Sequence, residues 1–180
     1  SRLPEAWELH ARLRAHLLYR EGSEGLAVYY QRWMSSSETF PVLPWFAGFA
    51  YIQIAEQFRR ESQVRSAFEA YSEAERLYVL ATEKNVSVKE SSATYLAMIC
   101  AGRARMWMES QQWEKAIEAL LQSFEWNSQA ASILDGMNFS ARMTTITLLA
   151  RLGEVGEAKL IQQLRAAAPF STRQPSPDPR

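Results

Sequence analysis

The chain has 180 residues, of which 47% are hydrophobic and 22% are charged, and its formal net charge is zero. This composition is typical of a folded globular protein, and it excludes a disordered chain and a strongly basic nucleic-acid-binding protein. The length suits one domain with its own hydrophobic core.

The first half of the sequence predicts four helices with short breaks between them. The first begins near Pro4 and ends at the segment EGSEG, and the second covers residues 25–34. After the proline-containing loop SSSETFPVLP, a third helix is predicted over residues 45–60. The fourth helix begins after Ser62 and ends at Lys84. The breaks are short, which favours antiparallel neighbours.

The second half predicts four more helices. Ser87 and Glu90, three residues later, form a capping-box pattern for a fifth helix that ends at Glu109. Three further helices are predicted over residues 111–127, residues 129–152 and a last stretch that ends near residue 168. The seventh contains the segment MTTIT, whose β-branched residues lower helix propensity. All regular structure is therefore predicted to be helical.

The predicted helices define one helical domain over residues 1–168, followed by a proline-rich tail over residues 169–180 that we expect to be disordered. The longest uncharged run covers residues 39–55 and approaches the shortest membrane-spanning length. Pro41 and Pro44 interrupt its first third. The sequence therefore predicts no membrane span.

One order of residues recurs at the same spacing along the predicted helices. It occurs as Ala55, Phe58, Ala67, Tyr71 and Ala74, and again as Ala104, Trp107, Ala116, Leu120 and Ser123. The pattern resembles the tetratricopeptide repeat family, in which small residues let two antiparallel helices approach closely while aromatic residues fill the space between them. The resemblance implies an all-α fold of about eight antiparallel helices, stacked as helix-turn-helix hairpins in a right-handed superhelix.

Two weaker units extend the resemblance over almost all of the chain before the tail. The segment LLARLGEVGEAKL matches through Leu149, Gly153, Val155 and Ala158, and a first unit carries Ala15, Leu18, Gly22 and Ala27. The alanines that mark the second helix of each unit, Ala27, Ala67, Ala116 and Ala158, are 40, 49 and 42 residues apart. The usual unit of the family has about 34 residues. An irregular helical bundle is therefore the structural alternative.

Few groups in the sequence are suited to catalysis. His10 and His16 are six residues apart on the first predicted helix, so they do not share a helix face, and both are predicted to be surface or groove residues. Cys100 lies in the apolar segment LAMICAG and is predicted to be a buried thiol. We therefore expect no enzymatic activity, no cofactor and no metal.

In the tetratricopeptide family, the first helix of each pair lines a concave surface that holds a peptide or helix of a partner protein. The resemblance carries this face over to Arg12, His16, Tyr19, Arg20, Phe49, Ile52, Glu56, Arg59, Arg60, Met98, Ala101, Arg105, Met108, Glu109, Met143, Thr147 and Arg151. It implies a noncatalytic protein-interaction or scaffolding module in the cytoplasm. Its partner is expected to be a protein segment that combines apolar side chains with carboxylates. A second copy of the chain is a further candidate partner, and nucleic acid is not.

Two other functions stay open at this point. Met98, Met106, Trp107 and Met108 are candidates for the lining of an apolar pocket, as in a sensor that binds a small apolar ligand or a signalling peptide. Alternatively, the chain is a regulatory domain of a larger protein. The arginines of the predicted concave face have an alternative interpretation as well, since they are also typical of a solvated helix surface.

Overall fold

The computed structural model of the chain describes residues 3–36, 42–129 and 141–170. In these residues the regular structure is seven α-helices and one 3-10 turn. The α-helices are α1 (Leu3–Ser36), α2 (Leu43–Arg60), α3 (Val64–Lys84), α4 (Lys89–Glu109), α5 (Trp113–Trp126), α6 (Ala141–Val155) and α7 (Ala158–Ala167), and the 3-10 turn is Val86–Val88. None of the helices within the described ranges is both long and apolar enough to cross a bilayer.

The chain forms two compact units that divide within α4. The N-terminal unit is Ser1–Tyr95 and the C-terminal unit is Leu96–Arg180. The candidate site described below lies entirely within the N-terminal unit.

The helix α1 bends back on itself at Gly22. Gly22 has φ +68° and ψ −171°, a non-helical conformation that glycine adopts readily because it lacks a β-carbon. His10 and Tyr30, 20 residues apart, share a hydrogen bond of 3.0 Å. A straight helix would hold them about 30 Å apart. The helix therefore consists of two antiparallel arms, residues 3–21 and 23–36, and the predicted break at EGSEG is a sharp bend inside one helical element.

Three helix-to-helix turns share one pattern of backbone hydrogen bonds. After α2, the amide of Ser62 donates to the carbonyl of Arg59, and the amide of Gln63 donates to that of Phe58. The same pairs of bonds follow α4, at Gln111 and Gln112, and α6, at Gly156 and Glu157. The first residue of each pair has positive φ, which is the Schellman geometry of a helix C-terminus. Equivalent turns close α2–α3, α4–α5 and α6–α7, so the sequence repeat corresponds to a repeated helical hairpin.

Small residues let the helices of the N-terminal unit approach closely. The α2 helix packs against both α1 and α3. A β-carbon on Gly48 of α2 would lie 2.8 Å from the Tyr78 ring of α3, so that contact requires glycine. Ala55, Ala67 and Ala74 have no exposed surface. The small residues of the recurring sequence pattern are therefore buried, as predicted.

The C-terminal unit has its own core, formed by α4 to α7. Its fully buried residues include Ala104 and Ala116 from the sequence repeat, together with Leu148 and Leu164. The Ser123 hydroxyl donates a hydrogen bond of 2.7 Å to the carbonyl of Ala97 and so fastens α5 to α4. Each helix in this unit places its apolar side chains in one shared cluster.

Two local predictions differ from the structure. Ser87 does not cap α4, because it lies in the 3-10 turn, where its amide donates to the side chain of Asn85 at 3.0 Å. His10 is 3% exposed and is not a surface residue, since it stacks between the rings of Trp33 and Phe46.

Other predictions are confirmed. Cys100 is buried, and the β-branched segment MTTIT lies within α6. The predicted beginning of the seventh helix, over residues 130–140, lies outside the described residues. Most of the predicted tail does so as well, except for Pro169 and Phe170.

Candidate functional site

Two cavities lie side by side in the N-terminal unit. The first has a volume of about 470 Å³ and the second has one of about 320 Å³. Gln31 of α1 and Glu73 of α3 line both of them. The two cavities are therefore adjacent, and we name the pair the α2 groove.

The floor of the α2 groove is α2, and its walls are the second arm of α1 and the helix α3. The floor carries Leu43 and Pro44 at one end and Tyr51, Ile54 and Phe58 at the other. The α1 wall carries Ala27, Gln31, Met34 and Ser35. The α3 wall carries Ser66, Glu69, Ala70, Glu73, Arg76, Leu80 and Lys84. Apart from the adjacent Glu69 and Ala70, these α3 residues are three or four positions apart, so they occupy one helix face about 27 Å long.

Charge is unevenly distributed along the groove. The smaller cavity is lined by the carboxylates of Glu69 and Glu73 and by no basic residue among those described. The larger cavity contains Glu73 together with Arg76 and Lys84. The guanidinium of Arg76 donates to both oxygens of Glu73, at 2.6 and 2.8 Å. Lys84 makes no ion pair with any residue in the described ranges.

Tyr51 lines the smaller cavity, and its hydroxyl is buried beneath the cavity surface. Tyr51 is 4% exposed, and its hydroxyl makes no hydrogen bond of normal geometry within the described part of the chain, although Gln31 is nearby. Burial raises the pKa of Tyr51, Gln31 lowers it, and Glu73 raises it further. The hydroxyl is therefore protonated at neutral pH, and it is close to both Gln31 and Glu73.

In the N-terminal unit, the first-helix face predicted from the sequence contains both exposed and buried residues. The exposed residues of this face are Arg12, His16, Tyr19, Arg20 and Arg60. Phe49, Ile52 and Glu56 are buried, and the side chain of Arg59 is 17% exposed. None of these nine residues lines the α2 groove. The exposed and buried members thus do not form one continuous surface for a partner.

The buried members of that face have packing partners within the unit. Glu56 accepts hydrogen bonds from the Tyr71 hydroxyl of α3 and from the Arg59 guanidinium, the latter at 3.0 and 3.1 Å. The ring of Phe49 lies 4.7 Å below the Arg14 guanidinium. These contacts link α2 to its neighbours, so the side chains hold the helices together and are covered by them.

The predicted face of the C-terminal unit is mixed as well. Met143, Thr147, Arg151 and Glu109 are exposed, Met98 and Met108 are half-buried, and Ala101 has no exposed surface. Arg105 is 8% exposed and donates a hydrogen bond of 3.0 Å to the Thr144 hydroxyl of α6. The expectation of an exposed arginine at this position is wrong, because α6 covers it.

The methionine-rich segment of α4 contributes mainly to the interior. Met106 is 2% exposed, and Trp107 and Met108 pack against the core of the C-terminal unit. The Lys115 ammonium lies 4.6 Å from the centre of the Trp107 ring and covers it. None of the four predicted pocket residues lines either cavity of the α2 groove.

Sequence reasoning therefore missed the α2 groove. A detectable signal was the spacing of Ser66, Ala70, Glu73, Leu80 and Lys84, which places small, charged and apolar side chains on one face of the fourth predicted helix. The tetratricopeptide resemblance instead implies a binding face on the first helix of each pair. The groove lies between two second helices.

No protein-family model, curated protein or solved structure matches the chain. The resemblance to the tetratricopeptide family consequently rests on the residues of this sequence alone.

Proposed function

We propose that the chain is a noncatalytic protein-interaction module that scaffolds a complex by holding a peptide or helical segment of a partner protein in the α2 groove. The adjacency of the two cavities, which share Gln31 and Glu73 as lining residues, is the observation that carries the proposal. A groove that is bounded by two helical walls suits an elongated occupant. A helix laid between two helices is a common mode of peptide recognition.

The composition of the groove supports a peptide more than a small apolar ligand. Met34, Leu80 and Phe58 offer apolar contacts, but charged side chains interrupt them along the α3 wall. A pocket for a small ligand is generally apolar with only a few polar groups. A peptide presents apolar side chains and hydrogen-bonding groups in alternation, as this groove does.

The tetratricopeptide-like superhelix is part of the same proposal. Its support is the recurrence of one turn geometry after α2, α4 and α6, together with the buried alanines of the sequence repeat. In this interpretation the partner segment lies between two second helices, whereas the resemblance implied a concave face of first helices.

Site-directed photo-crosslinking tests the proposal. A benzophenone amino acid is placed at Ser35 or Ser66 in the groove, and at Tyr19 or Arg60 on the predicted first-helix face. The protein is incubated with an extract of its native source, and the crosslinked peptides are sequenced. Both groove positions should crosslink to one segment of the same partner, and a synthetic copy of that segment should compete.

The first-helix positions serve as the control. Tyr19 is 91% exposed and Arg60 is exposed, so a probe at either site can reach any partner that lies on that face. Crosslinking from Tyr19 and Arg60, with none from the groove positions, would contradict the proposed location.

A further inference from the structure

We infer that His10 is an acid-sensitive latch that holds one wall of the α2 groove in place. In its neutral form the imidazole fixes the second arm of α1, residues 23–36, against α2, and protonation of the imidazole releases that arm. The movement of the arm follows from the packing around His10. Its effect on a bound partner rests on the proposed function, because it concerns the occupant of the groove.

His10 contacts both the second arm of α1 and the helix that forms the groove floor. Its Nδ1 atom lies 3.0 Å from the Tyr30 hydroxyl, and its ring stacks on Trp33 with centroids 5.0 Å apart. Both of these residues belong to the second arm. The ring also stacks on Phe46 of α2, with centroids 4.1 Å apart. One side chain of the first arm therefore fastens the second arm and packs against α2.

The arm that His10 holds is the arm that lines the groove. Ala27 and Met34 lie within about one helical turn of Tyr30, on either side of it in sequence, and Gln31 is its neighbour. Tyr30 itself has no exposed surface. Because a helical segment moves largely as a rigid body, a displacement of Tyr30 also displaces these wall residues.

The bend at Gly22 gives the second arm a point about which it can turn. Gly22 has φ +68° in the middle of α1, and a β-carbon built there would meet nothing within 4 Å. The space beside the bend is therefore open, and small residues of this kind commonly serve as hinges. The position of the second arm is set by the contacts along its length, and the His10 contacts are the ones that respond to acid.

Burial and charge both oppose protonation of His10 in the closed arrangement. The ionisable groups that face the ring are Arg14 on its own arm and Tyr30 on the second arm, and α2 contacts it through the uncharged Phe46. A protonated imidazole also cannot accept a hydrogen bond at Nδ1 from the Tyr30 hydroxyl. Burial, and then Arg14, lower the pKa of His10 from 6.5 to about 4. Release returns the imidazole to water, so the ratio of released to closed arm should rise about twentyfold between pH 7 and pH 5.

Distances between spin labels on the two arms test the latch. Glu8→Cys and Arg32→Cys place one label at an exposed position of each arm, in a Cys100→Ala background, and double electron-electron resonance measures their separation. Between pH 7 and pH 5 a second, longer distance should gain population relative to the first, by about twentyfold. Circular dichroism at both pH values checks that the helices persist.

Histidine variants assign the change to His10. His10→Phe keeps an aromatic ring in the stack but cannot be protonated, so its distances should not change with pH, and His10→Gln takes its place if the phenylalanine variant does not fold. His16→Phe is the matched control, because His16 is exposed on the same arm, and it should respond to pH as the parent chain does. Unchanged distances in the parent chain, or an equal response in the His10 variant, would overturn the inference.

Peptide affinity connects the latch to the groove. A peptide without histidine is selected at pH 7 from a random library displayed on phage, with the full chain as the target. Competition with crosslinking at Ser35 and Ser66 shows that it occupies the groove. Its apparent Kd, measured by fluorescence anisotropy, should rise at pH 5 in inverse proportion to the fraction of closed arm, and it should stay nearly constant in His10→Phe.

The outcomes separate the inference from the proposed function. A released arm with unchanged peptide affinity would overturn the inference and leave the function standing. If no peptide competes with crosslinking at Ser35 and Ser66, the proposed function itself fails, and the spin-label distances still decide whether His10 holds the arm.

Discussion

The Nδ1 atom of His10 lies 3.0 Å from the hydroxyl oxygen of Tyr30, which joins the two arms of α1 across the bend at Gly22. The imidazole also stacks on Phe46 of α2, with ring centroids 4.1 Å apart. Burial, with a smaller effect from the Arg14 guanidinium, lowers the pKa of His10 from 6.5 to about 4. The fold therefore holds His10 in its neutral form.

Acid is expected to destabilise the N-terminal unit through His10. Between pH 6.5 and 4 the unfolded chain binds a proton at His10 that the folded chain excludes. The stabilisation is therefore present above pH 6.5 and is lost as the pH falls, by about 2 kcal/mol between pH 7 and 5. Urea unfolding at both pH values measures it. His10→Gln should show a smaller pH dependence than the parent chain, whereas His16→Gln, at an exposed position, should keep it.

Replacing Ser62 with glycine is expected to stabilise the chain. Ser62 has φ +60° at the turn after α2, and side chains other than glycine adopt that conformation at a cost. Ser62→Gly should therefore raise the free energy of unfolding by about 0.5 to 1 kcal/mol, the gain being limited by the greater freedom of glycine in the unfolded chain. Glu61→Gly is the control, because Glu61 has φ −82°. It should leave stability unchanged or lower it.

Enlarging the buried alanines is expected to overpack both units. Ala67 and Ala116 have no exposed surface, and each belongs to the second helix of a hairpin. Ala67→Leu or Ala116→Leu should lower the free energy of unfolding by roughly 1 to 3 kcal/mol, measured by thermal or urea unfolding. Melting temperatures within a degree of the parent for both variants would show that the helices do not meet closely at these alanines.

Arg59 is expected to contribute to stability as a partner of a buried carboxylate. Its guanidinium is bonded to Glu56, whose side chain is 3% exposed. Arg59→Glu would place two carboxylates together in a poorly solvated site and should lower the free energy of unfolding by at least about 2 kcal/mol. Arg60→Glu, the exposed neighbour, should change it by less than about 0.5 kcal/mol. Similar unfolding curves for both variants would contradict the buried network.

The sequence predicts the helices well because their signals are local. The glycines at residues 22 and 156 and the polar breaks near Ser62 and Gln111 mark the chain reversals that the structure contains. The alanine spacing predicts which helix faces are buried, since 3.6 residues per turn bring those positions to one side.

The buried polar residues and the α2 groove are harder to predict because their determinants are distant in sequence. Glu56 and Arg59 have the spacing of exposed helix residues, and only the Tyr71 hydroxyl on the next helix explains the burial of Glu56. His10 is buried by residues more than 20 positions away. The α2 groove requires three helical segments at once, so no single segment encodes it.

Paramagnetic relaxation enhancement by NMR can locate a bound peptide on the chain. The 20.6 kDa chain is isotope-labelled and mixed with a library-selected peptide that carries a nitroxide at either end. Binding in the α2 groove should selectively broaden amides along the groove walls, including Ala27, Gln31, Ala70 and Leu80. Broadening centred on Arg12, His16, Tyr19 and Arg20, with the groove amides unaffected, would contradict it.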